Sequence, residues 1–245
     1  MKEKPVSVRR DGDLYRVKVG CEIIFAAAQS RIRNYRFGVY KRLLKLAKCY
    51  GVDDLACHFR GETIFDVGAN VGEFALYAAL HGANVSAFEP DPLAFAALAR
   101  NSRLKAFSAH PIALWNANGA ATLSLATESA DSSLLLQGSH ATVRVKTRRL
   151  DTVMEGVDRL YLLKADVEGA EPELLEGAGK ALKRIAWISI DCGPERHGER
   201  TVDACTKLLK KRFHIKQLEQ KRCILLCKAK WLPDSSSPAC PSDAA

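Results

Sequence analysis

Apolar and polar residues alternate at the start of the chain and then switch to helical spacing, and that change of period sorts the sequence into elements. Val6 to Val19 reads VSVRR, DGD, LYRVKV: two alternating runs around an Asp-Gly turn, which predicts a β-hairpin. From Arg31 to Tyr50, the apolar residues Ile32, Tyr35, Val39, Leu43, Leu46 and Ala47 recur every three or four positions. Arg33, Arg36, Lys41, Arg42, Lys45 and Lys48 lie mostly opposite them. This predicts a basic amphipathic helix, suited to covering one edge of the core, to closing over an acceptor, or to resting on a membrane surface.

From Glu62 the pattern becomes a repeat of strand and helix. Strands are predicted at 63–67, 84–89, 105–110, 160–166 and 185–191, with helices starting near Gly72, Asp91, Ala170 and Thr201. Asp91-Pro92 is a strong helix start, with the acid as N-cap and proline at the first helical position. Residues 119–125 and 142–147 read as extra β-structure around a serine-rich stretch at 129–139. Two further strands, 213–218 and 222–228, predict an antiparallel hairpin on the sheet edge. The fold class is therefore α/β: a doubly wound, mostly parallel seven-stranded sheet with an antiparallel C-terminal hairpin and an N-terminal β-hairpin-plus-helix extension. The expected division is an extension over 1–60, a ligand-binding domain over 61–230, and a compositionally disordered tail over 231–245.

Composition narrows this picture. With 245 residues and 47% hydrophobic content, the chain can bury one full α/β core. A net charge of +9 invites nucleic acid, anionic lipid or a phosphorylated acceptor, but the basic residues are spread over 31–48, 146–149, 207–212 and 228–230 without interleaved aromatics. A solvated basic surface is the expectation, with peripheral membrane contact through the 31–50 helix as the alternative, and nucleic acid is not the expected partner. No run reaches the roughly 18 to 20 apolar residues a membrane span needs, and MKEKPVSVRRDGD lacks a signal-peptide core, so a cytoplasmic location is expected. The eight cysteines form no C-x-x-C pair. Cys223 and Cys227 would lie roughly 13 Å apart along one strand, too far to share a zinc ion, so the cysteines read as small buried hydrophobes.

The first strand of the repeat runs into DVGANVGEF, Asp66 to Phe74. Ligands of doubly wound sheets sit beyond the carboxyl ends of the strands, where strand order reverses. A dinucleotide site would carry G-x-G-x-x-G for a pyrophosphate; here Gly68, Ala69, Asn70 and Gly72 follow an acid, which would repel phosphate and welcome a cation. S-adenosylmethionine meets that demand, having an ammonium, a sulfonium and no phosphate. Glu89 and Pro90 end the second strand 23 positions after Asp66, where a carboxylate can accept both ribose hydroxyls. LLKADVEGAE, Leu162 to Glu171, brings Asp166 and Glu168 to the tip of the fourth strand, next to the first. Glu171 and Glu173 read as helix-terminus acids.

FDVGANVGEFALYAA (65–79), AFEPDPLAFAAL (87–98), RRLDTV (148–153), LLKADVEGAEPELLEGA (162–178) and ISIDCGPERHGER (188–200) together resemble the FkbM family of S-adenosylmethionine-dependent methyltransferases over about 61–228. The resemblance implies a class I, Rossmann-like methyltransferase fold and O-methylation of a hydroxyl on a sugar, glycan or natural product. By position, Asp66, Gly68, Asn70 and Gly72 resemble the donor loop, Glu89 the ribose acid, and Asp166 with Glu168 the fourth-strand acids. Ala113-Leu-Trp-Asn116 stands where the family has an Ala-Leu-Ser-Asp-like segment near the adenine, and Asp191 stands where many members have Glu.

An alcohol needs its proton taken as the new bond forms. Asp166 is the first candidate, with Glu168, Asp191 and His197 behind it, and Glu195 and Arg196 near the acceptor. Asp166, Glu168 and Asp191 are also a candidate oxygen set for Mg²⁺. Two other readings stand beside this one: an RNA or DNA methyltransferase, prompted by the charge, and a catalytically silent binding subunit.

Overall fold

The alternation at the N-terminus continues for one strand more than a hairpin. In the computed structural model, which describes residues 3–125, 132–135, 141–196, 198–219 and 222–233, β1 (Val6–Asp11), β2 (Leu14–Val19) and β3 (Glu22–Ala26) form an antiparallel three-stranded sheet. The third strand escapes the sequence pattern because Ile23, Ile24 and Phe25 are a continuous apolar run without alternation.

The single helix expected over 31–50 is two pieces. A 3-10 segment, Gln29–Tyr35, is followed by α1 (Val39–Cys49). Gly38 separates them at φ 116°, a conformation side chains disfavour. Glu22 of β3 then caps α1, accepting from Val39 N at 3.2 Å and Tyr40 N at 2.8 Å. The helical spacing was real on both sides of the break, so the pattern alone could not reveal it.

The α/β repeat follows as β4 (Thr63–Val67), α2 (Glu73–Leu80), β5 (Asn84–Phe88), α3 (Pro92–Lys105) and β6 (Ser108–His110). After β7 (Ile112–Leu114), β8 (Gly119–Ser124), β9 (Thr142–Arg148) and α4 (Leu150–Val153) come β10 (Leu160–Ala165), α5 (Glu171–Ala178), β11 (Ile185–Asp191) and α6 (Val202–Leu209). β12 (Phe213–Glu219) and β13 (Cys223–Ala229) complete the seven-stranded sheet in the order β12-β13-β11-β10-β4-β5-β6. β13 is antiparallel to both its neighbours, and the other pairs joining β11, β10, β4, β5 and β6 are parallel. The third parallel strand begins at Ser108 rather than Lys105, because α3 runs through Lys105 and ends at Ala106 with φ 49°. The extra β-structure expected around the serine stretch pairs with β7 as a second small sheet, β7-β9-β8.

The chain moves outward from β4 to β6 and then crosses back to β10, so strand order reverses between β4 and β10. Their carboxyl ends open a crevice there. Strand alternation buries one core on each face: Ile64, Leu162 and Ile224 join Leu43, Phe74 and Tyr77, while Phe65, Leu163 and Ile190 join Leu174, Leu175 and Phe213. The N-terminal strands share the first core through Val17, Val19 and Ile24. Cys192, Cys205, Cys223 and Cys227 are buried as expected, whereas Cys21 is exposed on the turn before β3. Among the described residues, no helix is long and apolar enough to cross a membrane.

One side chain fastens the N-terminal sheet to the crevice. Asn101 of α3, fully buried, accepts from Phe25 N at 2.8 Å and donates to Phe25 O at 2.9 Å and Val71 O at 2.7 Å. Asn101→Ala leaves these backbone groups without partners and is expected to cost about 3 kcal/mol. That corresponds to a fall in melting temperature of roughly 10 °C by circular dichroism; a fall under about 2 °C would show that the clamp is dispensable.

Candidate functional site

The crevice between β4 and β10 widens into a cavity of about 650 Å³. Its floor is the turn after β4. At Gly68, φ is 66° and an added Cβ would meet the backbone oxygen of Asp166 at 1.8 Å, so only glycine fits between the strand tips. Gly68 N and Ala69 N both donate to Phe88 O at 3.0 Å, which ties the turn to β5. Asn70 takes the left-handed conformation, φ 51°, and its side chain accepts from Val71 N at 2.7 Å. Gly68, Ala69 and Asn70 line the cavity, while Gly72 caps α2 and packs against Leu98 and Phe107 behind it.

Glu89 faces the cavity from the end of β5 and is 7% exposed. One carboxylate oxygen accepts from Asn70 N at 2.7 Å and the other from Asp91 N at 2.9 Å. Burial outweighs these two bonds and raises its pKa to about 7. Pro90 and Ala113 line the same wall. Of the serine stretch, residues 132–135 are described, and they reach the cavity. Ser132 Oγ donates to Asp91 at 2.7 Å, Ser133 Oγ donates to Glu168 O at 3.0 Å, and Ser132 and Leu134 line the cavity.

Asp66 departs from expectation. As alternate residues of β4 face opposite sides, Asp66 shares its face with Ile64 and is completely buried under α2, outside the cavity lining. One oxygen accepts from Ala75 N at 3.0 Å near the start of α2, and the other lies 3.0 Å from Lys164 Nζ. The cation that Asp66 holds is thus the chain's own Lys164, its register partner on β10. Lys164 Nζ also donates to Gly68 O at 3.2 Å and stands over the Tyr50 ring, so it braces the turn from beneath.

Asp166 sits at the tip of β10 and lines the cavity. Tyr50 OH and Arg222 Nη1 both donate to its Oδ2 at 2.5 Å, and the same Nη1 donates to Asp191 Oδ2 at 2.6 Å. Burial alone would raise the Asp166 pKa, but Lys164 and Arg222 overcome it and hold the carboxyl below its ordinary value. Asp191 goes the other way: burial, and then the charge of Asp166, raise it to about 6. Burial and Asp166 push the Tyr50 phenol well above its ordinary range, so it stays protonated and donates. Ser189 Oγ donates to Tyr50 O at 2.7 Å and fixes that residue from below.

The candidate Mg²⁺ set of Asp166, Glu168 and Asp191 is not assembled. Arg222, already a cation, bridges Asp166 and Asp191, and the described residues contain no group of three or more acidic, histidine or cysteine side chains arranged to hold a metal. Glu168 lines the cavity with φ 53°. Arg196 pairs with Glu173 instead of reaching the cavity, and His197 lies outside the described residues. Glu171 is structural, accepting from Gly169 N at 3.0 Å and Thr201 Oγ1 at 2.8 Å.

Tyr50, Lys164 and Arg222 are the cavity residues that sequence reasoning passed over. Lys164 alone left a signal, as one charge in the apolar strand LYLLKA. Part of the wall comes from the N-terminus: Tyr15, Gln29, Arg31, Asn34 and Arg42 also line the cavity, with Arg42 held to Glu73 by bonds of 2.9 and 2.8 Å.

The family model described as the methyltransferase FkbM domain matches residues 66–212. The chain is similar to hexuronic acid methyltransferase AglP of Haloferax volcanii, 28% identical over 137 residues, 53% of this chain and 55% of that protein. A shorter stretch of 44 residues is 54% identical to 31-O-demethyl-FK506 methyltransferase FkbM of Streptomyces tacrolimicus, covering 17% of each chain. These matches thus span about half or less of each relative. Among solved structures, the tRNA (uracil-54, C5)-methyltransferase of Pyrococcus abyssi in complex with S-adenosyl-L-homocysteine aligns with a TM-score of 0.45 and 16% identity, over 90% of this chain and 45% of that one.

Proposed function

Because the chain belongs to the FkbM methyltransferase family, we propose that it transfers the methyl group of S-adenosylmethionine to a hydroxyl oxygen of a sugar or natural-product acceptor. The convergence of the Gly68 turn, Glu89 and Asp166 on one cavity carries this reading. The names of the two relatives, one a hexuronic acid methyltransferase and one a 31-O-demethyl-FK506 methyltransferase, support an acceptor of this class.

The residues present fit the donor. The Gly68–Asn70 turn lines the cavity and offers its backbone to the amino-acid part, Glu89 offers carboxylate oxygens to ribose hydroxyls, and Ala113, Leu114 and Leu134 offer an apolar wall to the adenine. When bound, S-adenosylmethionine supplies a methyl group on a positively charged sulfur. The protein's part is alignment of the acceptor oxygen with that carbon, and Asp166 is the carboxylate positioned to hold the hydroxyl and take its proton.

Calorimetry with S-adenosylhomocysteine tests the donor site. Ribose hydroxyls donate most strongly to ionised Glu89, so protonation below pH 7 weakens their partner. Affinity is expected to be about 10-fold weaker at pH 6 than at pH 8, with the step lost in Glu89→Gln. Absence of binding by folded protein at pH 8 would refute the reading.

A further inference from the structure

We propose that Arg222 is an acceptor-binding residue and that it selects an electrically neutral, hydroxyl-rich acceptor; this rests on the methyl-transfer reading above. Arg222 immediately precedes β13 and lines the cavity with 39% of its side chain exposed. All its hydrogen bonds to described residues leave from Nη1: to Asp166, to Asp191, and at 3.4 Å to Tyr50 OH. Nη2 and Nε have no hydrogen-bond partner among the described residues. That edge of the guanidinium carries two parallel N–H groups, spaced to meet two neighbouring oxygens.

Charge then decides which oxygens. Asp166 and Asp191 place two carboxylates against one guanidinium, and Lys164, which also acts on Asp166, is paired with a third carboxylate, Asp66. Asp66, Asp166, Asp191, Lys164 and Arg222, taken together, therefore carry a formal excess of one negative charge around the Arg222 fork. A carboxylate or phosphate brought to Arg222 would meet that excess at close range. Neutral vicinal hydroxyls meet no such opposition. One hydroxyl reaches Asp166, whose oxygen accepts its proton, and the neighbouring oxygen accepts from the free edge of Arg222. In the transfer itself, the acceptor O–C bond forms as the donor C–S bond breaks, and the hydroxyl proton passes to Asp166.

The test uses saturation-transfer NMR on the full chain saturated with S-adenosylhomocysteine, with neutral methyl hexopyranosides and the matching methyl hexuronosides as probes. Neutral probes are expected to bind at least about 10-fold more tightly than their uronic counterparts. Arg222→Lys keeps a cation between the two aspartates but removes the fork, and is expected to weaken the neutral probes about 10-fold. Its melting temperature and S-adenosylhomocysteine affinity should stay at wild-type values. Preference for uronic probes, silence from every neutral probe, or unchanged binding in Arg222→Lys would overturn the proposal. Loss of S-adenosylhomocysteine binding by the wild-type protein would instead refute the donor site on which it rests.

Discussion

Gly68→Ala is expected to raise the dissociation constant for S-adenosylhomocysteine by at least about 100-fold, because the turn can no longer lie where it does. The new Cβ would sit 1.8 Å from a backbone oxygen, that of Asp166. That oxygen has no freedom to retreat. Asp166 N is bonded to Val67 O at 3.0 Å, and its side chain is held by Tyr50 and Arg222. The turn itself must move, and with it Asn70 and the hydrogen bond to Glu89. Gly156→Ala is the control, since Gly156 has a similar φ of 79° with nothing within 4 Å. It carries the backbone strain without the collision, so its donor affinity should match wild type. Calorimetry on both variants separates the two effects, and tight binding by Gly68→Ala would show that the turn does not contact the donor.

Asp166→Asn is expected to lower the rate of methyl transfer by about 10²- to 10⁴-fold while leaving S-adenosylhomocysteine affinity within a few-fold of wild type. The amide keeps the shape and still accepts from Tyr50, but it cannot take a proton. The ionisation of Asp166 should not appear in the neutral part of the pH profile, because Lys164 and Arg222 keep it charged there. A neutral-range step that survives in the variant belongs to another group, with Glu89 at about 7 the first to examine through donor binding. Single-turnover measurement of labelled methyl transfer gives the rate; a loss confined to donor binding would move Asp166 out of the acceptor's reach.

The order of elements was legible because the apolar period changes where the structure does. The helix starts read near Gly72, Asp91, Ala170 and Thr201 are the observed N-cap positions, and of these Asp91 caps its helix with its side chain. Gly68, Asn70, Glu89 and Asp166 could be picked out because their types at strand tips answer local demands of a turn or a ligand. Asp66 was read as acidic toward the ligand, but sheet alternation turns it to the opposite side, where only the register of β10 reveals its partner Lys164. Tyr50 and Arg222 were illegible for the same reason. Tyr50 lies 116 positions from Asp166, and Arg222 lies 56 from it. Their meeting is a product of sheet order and leaves no local pattern.

The place of β13 sets the order in which this molecule can be completed. β13 follows β12 in sequence yet inserts between β12 and β11. A nascent chain that has emerged only as far as Glu219 leaves the β11 ladder open along Trp187 to Asp191, an apolar edge able to pair with another chain. Arg222 immediately precedes that strand. Protection of the edge and placement of Arg222 in the cavity are therefore coupled, and a chain ending before β13 is expected to self-associate through the open β11 edge.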